Sequence, residues 1–231
     1  MQPKFIFFDL DNTLLDHNHA EGKAHQAIYE QYPEMQQVSL ENWLETYRRV
    51  NGKLWKLYQQ GKIERFQVQH ARFFESMHYL ELPIQKSTEI GESYMQHYQD
   101  YWEWISGAEE TLAEISERFD TGIITNGFKE TQLKKFQKMM LGRFTDLFII
   151  SEELGKMKPH PDVFRHGEKM CGAEPEEILY IGDSYSSDII GGKTAGWQTA
   201  WFQFEETAEV EENIADFTFT DFTQLINYLE Q

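Results

Sequence analysis

Short apolar runs that end in polar or glycine-containing turns limit the folds open to this chain. They are KFIFFD (4–9), TGIIT (121–125), LFIIS (147–151), ILYIG (178–182), QTAWF (198–202) and the weaker FTFT (217–220). Continuous apolar character without alternation predicts strands covered on both faces, as in a parallel sheet. Stretches of helical character separate most of them, at 107–118, 129–140, 161–171 and 187–195, and 221–230 closes the chain. Strand, helix, strand in series predicts an α/β domain built on a doubly wound parallel sheet.

One long gap breaks this rhythm. Between about 17 and 105 no strand is legible, only helical patterns rich in Gln, Glu, Tyr and Trp. In SLENWLETYRRVNGKLWKLYQQG, residues Trp43, Leu44, Tyr47, Val50, Leu54, Leu57 and Tyr58 form a stripe of helical period. Ser39 is placed to cap its start, and Gly61 lies past its end. ERFQVQHARFFESMHYL and STEIGESYMQHYQDYWEWI predict further helices. The expected organisation is an α/β core from 1–16 and 106–231, interrupted by an all-helical insertion over 17–105. The aromatic stripes of that insertion are expected to be packing surface.

The 231 residues suffice for one large domain with a sizeable insertion, and 40% hydrophobic residues can fill its core. A net charge of −18 argues against a nucleic-acid polymer or an anionic membrane as partner, since both attract basic patches. The single cysteine, Cys171, permits no intrachain disulfide and no thiolate cluster for zinc. No apolar run approaches membrane-spanning length, and MQPKFIFFDL has no signal-peptide pattern, so a soluble cytoplasmic protein is expected, as a monomer or homodimer.

In an open parallel sheet the functional groups gather beyond the carboxyl ends of the strands. Past the first run lie Asp9, Asp11 and Thr13; past the second, Thr125, Asn126 and Gly127; in the loop after the third, Lys158; past the fourth, Asp183 and then Asp188. Each residue alone fits a turn, a helix cap or a solvated loop. Together they bring acids from two strand ends to one crevice, with a hydroxyl and an ammonium from two others. Such a set of oxygens needs a cation, and without Cys or a nearby His it favours a hard one, Mg²⁺.

The pieces DLDNTL (9–14), ITNG (124–127), KMKPHPDVF (156–164) and GDSYSSDIIGGKTAG (182–196), in this order, resemble the haloacid dehalogenase-like hydrolase superfamily. The insertion resembles that superfamily's type 1 helical cap. The resemblance implies that Asp9 is the nucleophile, forming an aspartyl-phosphate, and also a metal ligand. Asp11 is implied as general acid and then base, reaching the metal through its backbone carbonyl, with Thr13 positioning its side chain. Thr125, the Asn126 N–H and Gly127 are implied in phosphate binding, and Lys158 as partner of both Asp9 and the phosphoryl group. Asp183 is implied as a metal ligand and Asp188 as a ligand or an organiser behind it.

Asp11 disfavours the dehalogenases of this superfamily, because a departing halide needs no proton. The expected activity is therefore hydrolysis of a small phosphate ester. ITNGFKETQ and SEELGKMKPHPDVF are similar to the pyrimidine 5′-nucleotidase branch. Phosphoglycolate or sugar-phosphate phosphatases, a phosphomutase and a catalytically idle binding relative are the alternatives. Specificity is expected from the cap, with His17, Asn18 and His19 where the chain leaves for it. Tyr94, Tyr98 and Trp102 are either base-stacking groups or bundle core, core being the better reading.

Overall fold

Phe5–Phe8 forms β1, and its four side chains are all buried. The remaining strands are β2 (Asp120–Thr125), β3 (Leu147–Ile150), β4 (Ile178–Gly182), β5 (Gln198–Phe202) and β6 (Phe217–Phe219). The computed structural model describes residues 2–203 and 210–230. Every pairing is parallel, in the order β3-β2-β1-β4-β5-β6. β1 therefore lies between β2 and β4, with Phe8 level with Ile123 on one side and Ile181 on the other. This is a doubly wound order, whose crevice opens at the carboxyl end of β1, where the winding reverses.

The sheet is covered twice because its side chains alternate. Ile6, Phe8, Ile123, Leu179 and Ile181 face one layer. That layer is built by α5 (Ala108–Ser116) and α9 (Phe222–Leu229), through Leu112, Ile115, Leu225 and Leu229. Phe5, Phe7, Ile124, Ile149 and Tyr180 face the other, with Val163 and Phe164 of α7 (Pro161–Cys171) and with Trp197. Each fully buried side chain of this kind stabilises by roughly 1.5–3 kcal/mol, which is why these runs carry no polar alternation. Two further helices, α6 (Lys129–Lys138) and α8 (Ile190–Ala195), complete the connections.

The chain divides into two compact units: Met1–Asp16 with Glu103–Gln231, which holds the sheet, and His17–Trp102. The second unit is helical throughout its regular structure, with α1 (His17–Gln31), α2 (Leu40–Gln59), α3 (Arg65–Tyr79) and α4 (Ser87–Asp100). The Ser39 hydroxyl accepts from the Asn42 N–H at 3.2 Å and caps α2, while Glu64 and Gln67 form a reciprocal cap at the start of α3. Its centre is aromatic: His25, Trp43, Tyr47, Phe73 and Tyr94 pack with ring centroids 4.1–6.2 Å apart.

Candidate active site

Asp9 is the first residue beyond β1, and its N–H donates to Ile181 O at 2.8 Å, so the ladder to β4 fixes its position. Its carboxylate is buried, and Oδ1 accepts from the Lys158 ammonium at 2.6 Å. Lys158 comes from the loop between β3 and α7 and is 1% exposed. Its ammonium also donates to Tyr180 Oη at 2.6 Å and to Ile124 O at 2.9 Å, and stands 2.8 Å from Asp188 Oδ1. Burial works against a charged lysine, but Asp188 and Asp9 outweigh it, and Lys158 is held well above the ordinary lysine pKa.

Asp183 follows β4 directly. Its N–H donates to Thr13 Oγ1 at 3.0 Å, and Trp201 Nε1–H donates to its carbonyl at 2.8 Å. Asp188 lies on a single π-helical turn, Tyr185–Ile189, with Oδ2 accepting from the Ser184 N–H at 3.0 Å. That loop needs Gly182, because a Cβ there would stand 2.4 Å from Asp188 Oδ2.

Asp9, Asp183 and Asp188 each present an oxygen within 4.8 Å of the others. Against these three carboxylates Lys158 supplies one positive charge. Burial first, and then Asp188 and Asp11, push the Asp9 pKa up to about 7 in spite of Lys158. Burial followed by Asp9 and Asp188 raises Asp183 well above the carboxylate range. A divalent cation fits this cluster on two counts: it balances the surplus negative charge, and the donors are all carboxylate oxygens, the set that Mg²⁺ prefers.

Asp11 stands apart from the cluster. Its Oδ2 accepts from Gln132 Nε2 at 2.8 Å, and its Oδ1 pairs with the Lys135 ammonium. The buried Thr13 hydroxyl lies 3.3 Å from Asp183 Oδ1 and 3.5 Å from Asp9 Oδ2, so its single proton serves the carboxylate cluster, and α6 holds Asp11.

Thr125 ends β2 and is 1% exposed, its hydroxyl accepting from Gln132 Nε2 at 2.9 Å. Asn126 brackets the backbone of Lys158: its Nδ2 donates to Lys158 O at 3.0 Å, and its Oδ1 accepts from Lys158 N–H at 2.8 Å. Gly127 is required by close approach, since a Cβ there would lie 1.8 Å from Gln132 Nε2. The structure thus brings Asp9, Thr13, Lys158, Asp183 and Asp188 together directly, and joins Asp11 to Thr125 through Gln132.

In the helical unit Tyr94 belongs to the aromatic core, 2% exposed and stacked on Tyr98 at 5.8 Å, with Trp102 edge-on to Tyr98 at 5.7 Å. These rings are packing, as the stronger reading had it. His17 Nδ1 and Tyr98 Oη share a hydrogen bond of 2.7 Å. Sequence reasoning missed Tyr180, Trp201, Gln132 and Lys135. The first two sit in strands and read as core, while a Gln and a Lys in a helix read as solvated. The Thr-Gln pair of ITNGFKETQ was the one visible signal for Gln132.

A parallel sheet of this order, with carboxylates converging on its switch point, is the frame against which the family comparison stands. The model of the haloacid dehalogenase-like hydrolase family matches residues 3–196, and the chain belongs to that family. It is 28% identical over 226 residues to HAD-hydrolase YfnB of Bacillus subtilis, spanning 97% of this chain and 94% of that one. A crystal structure of YfnB bound to magnesium superposes with a TM-score of 0.85, at 27% identity over the whole of both chains. The chain is also 31% identical over 212 residues to the pyrimidine 5′-nucleotidase YjjG of Escherichia coli, spanning 91% of each. To the glyceraldehyde 3-phosphate phosphatase of Pyrococcus furiosus it is 36% identical over 135 residues, 57% of this chain and 56% of that one.

Proposed function

We propose that this protein is a Mg²⁺-dependent phosphomonoester hydrolase that works through an aspartyl-phosphate on Asp9. Its substrate is a small phosphorylated metabolite, with nucleoside 5′-monophosphates the leading class. One observation carries the reading: two carboxylates two residues apart are held by different cations, Asp9 by Lys158 and Asp11 by Lys135. Two acids with one job would need no such separation.

In this mechanism an Asp9 carboxylate oxygen attacks phosphorus, and the bond from phosphorus to the ester oxygen breaks. Asp11 gives its proton to the departing oxygen. It then takes a proton from the water that attacks the aspartyl-phosphate, releasing inorganic phosphate and restoring the Asp9 carboxylate. The Thr125 hydroxyl and the N–H groups of Asn126 and Gly127 hold the phosphate oxygens, and Lys158 balances charge as it spreads over them. Asp9, Asp183 and Asp188, with the Asp11 carbonyl, would hold Mg²⁺, which supplies positive charge against the phosphoryl oxygens. A halide needs no proton on departure, so a held Asp11 favours an ester with an alcohol as leaving group.

The test is a panel of p-nitrophenyl phosphate, pyrimidine nucleoside monophosphates, glyceraldehyde 3-phosphate and hexose phosphates, with Mg²⁺ and with chelator. Turnover is expected with Mg²⁺ alone, and Asp9→Asn should lower it by roughly 10⁴-fold or more, as loss of a nucleophile does. Acid quenching during turnover should trap phosphate on Asp9. Absence of turnover across the panel, isomerisation in place of hydrolysis, or trapped phosphate on another residue would overturn the assignment.

A further inference from the structure

Helix α6 buries the wrong residues for a surface helix. Gln132 is 1% exposed and Lys135 2%, whereas Leu133 between them is 38% exposed. Spaced three apart, the two buried polar groups share one face and point together. Burying an ammonium is costly unless it is paired, so this face is built around its partner, the half-buried Asp11. Lys135 takes one carboxylate oxygen of Asp11 and Gln132 the other, 2.8 Å away. The same Gln132 amide donates to Thr125 Oγ1 at 2.9 Å. With Asp11 ionised, a flipped amide would set Oε1 against a carboxylate.

We infer that Lys135 and Gln132 are positioning residues for proton transfer: they aim the Asp11 carboxyl, and Gln132 couples its position to the phosphate-holding Thr125. The inference rests on the assignment of Asp11 as acid and base above. Each carboxyl oxygen has two lone pairs, so an oxygen bonded to Gln132 or Lys135 has a second with which to carry the proton. Held on both oxygens, the carboxyl cannot rotate away, and the proton passes along one line to the ester oxygen as the bond to phosphorus breaks. Proximity effects of this kind are lost when the group is allowed to wander. Gly127 belongs to the same device, since any side chain there would displace Gln132.

The dependence on the leaving group separates aiming from mere support. kcat/KM covers only the steps through departure of the alcohol, and a p-nitrophenolate leaves without a proton whereas an alkoxide does not. In Lys135→Met, kcat/KM for an alkyl phosphate should fall by roughly 10–100-fold, within the contribution of general acid catalysis, while that for p-nitrophenyl phosphate falls by less than about 3-fold. Lys135→Arg should recover most of the alkyl rate, and Gln132→Met should show the same split in smaller measure. In an Asp11→Asn background, Lys135→Met should cost little more, because the two residues act as one unit.

Equal losses for alkyl and aryl esters, or full additivity with Asp11→Asn, would overturn the inference and leave the phosphatase assignment standing. A wild-type chain that hydrolyses neither ester would remove the assignment itself, and this inference with it. Should Lys135→Met fail to fold, the presence or absence of the split in Gln132→Met decides the question.

Discussion

Asn12 lies between the two catalytic candidates, and sequence alone suggests no task for it. Its backbone supplies one, with φ at +62° in the left-handed region. There it closes a tight loop in which the N–H groups of Leu14 and Leu15 both donate to Leu10 O at 2.9 Å, and its own N–H donates to Leu15 O at 2.7 Å. Asparagine and glycine accept this conformation, and β-branched residues do not. Asn12→Gly should therefore leave stability within about 0.5 kcal/mol, while Asn12→Val should cost roughly 1–2 kcal/mol in urea unfolding. Equal stability of the two variants would show that the loop does not demand the left-handed residue. The acids on either side were legible because each strand end contributed one piece of a recognisable set. Lys135 was not, because nothing in KETQLKKFQK distinguishes a buried lysine from its exposed neighbours, and Gln132 showed only as half of a Thr-Gln pair.

Among the elements, strands were read well and helix orientation poorly. A run such as FIFF, buried at every position, can only be a strand covered on both faces. α6 gave no such sign, since its buried face is polar and its partner lies more than a hundred residues away in sequence. In α1, His25 is wholly buried, a placement that the sequence analysis does not anticipate. Trp43 Nε1–H donates to His25 Nδ1 at 3.1 Å, and an indole can only donate, so Nδ1 is the accepting nitrogen. Burial first, then the Arg72 and Arg48 charges, hold His25 well below the usual histidine pKa. A depressed pKa contributes stability that is present above the unfolded value and lost as pH falls below it. Acidification from about pH 7 to pH 5 should thus loosen the helical unit, with about 6.5 as the unfolded reference. Urea unfolding at each pH, followed by intrinsic tryptophan fluorescence to which Trp43 contributes, reads the change. His25→Phe should be less stable at pH 8, where Trp43 loses its acceptor, yet flatter in its pH dependence. An unchanged slope in that variant would place the acid sensitivity elsewhere.

For the molecule as a whole, the net charge of −18 has a focus in the carboxylates at the switch point. Asp9, pushed up to about 7 by burial, and Asp183, raised well above its usual range, keep protons that the unfolded chain releases near pH 4. Between those limits the folded state without metal binds more protons than the unfolded one. The contribution of Asp9 is complete below about pH 4 and lost as pH rises toward 7, and that of Asp183 is lost in the same direction as pH rises. A cation on the same oxygens reverses the slope, because it binds the ionised form and stabilises only the folded chain. The gain in Tm on adding Mg²⁺ should accordingly be larger at about pH 8 than at about pH 5. The depressed His25 pKa links stability to pH with the opposite sign, but it contributes equally with and without Mg²⁺ and drops out of the difference. A chain this acidic also gains stability from any salt by screening, so a KCl control at equal ionic strength is subtracted. Asp183→Asn should reduce the Mg²⁺-specific gain and flatten its pH dependence. A gain independent of pH, or one that KCl reproduces in full, would show that Mg²⁺ is not held by these carboxylates.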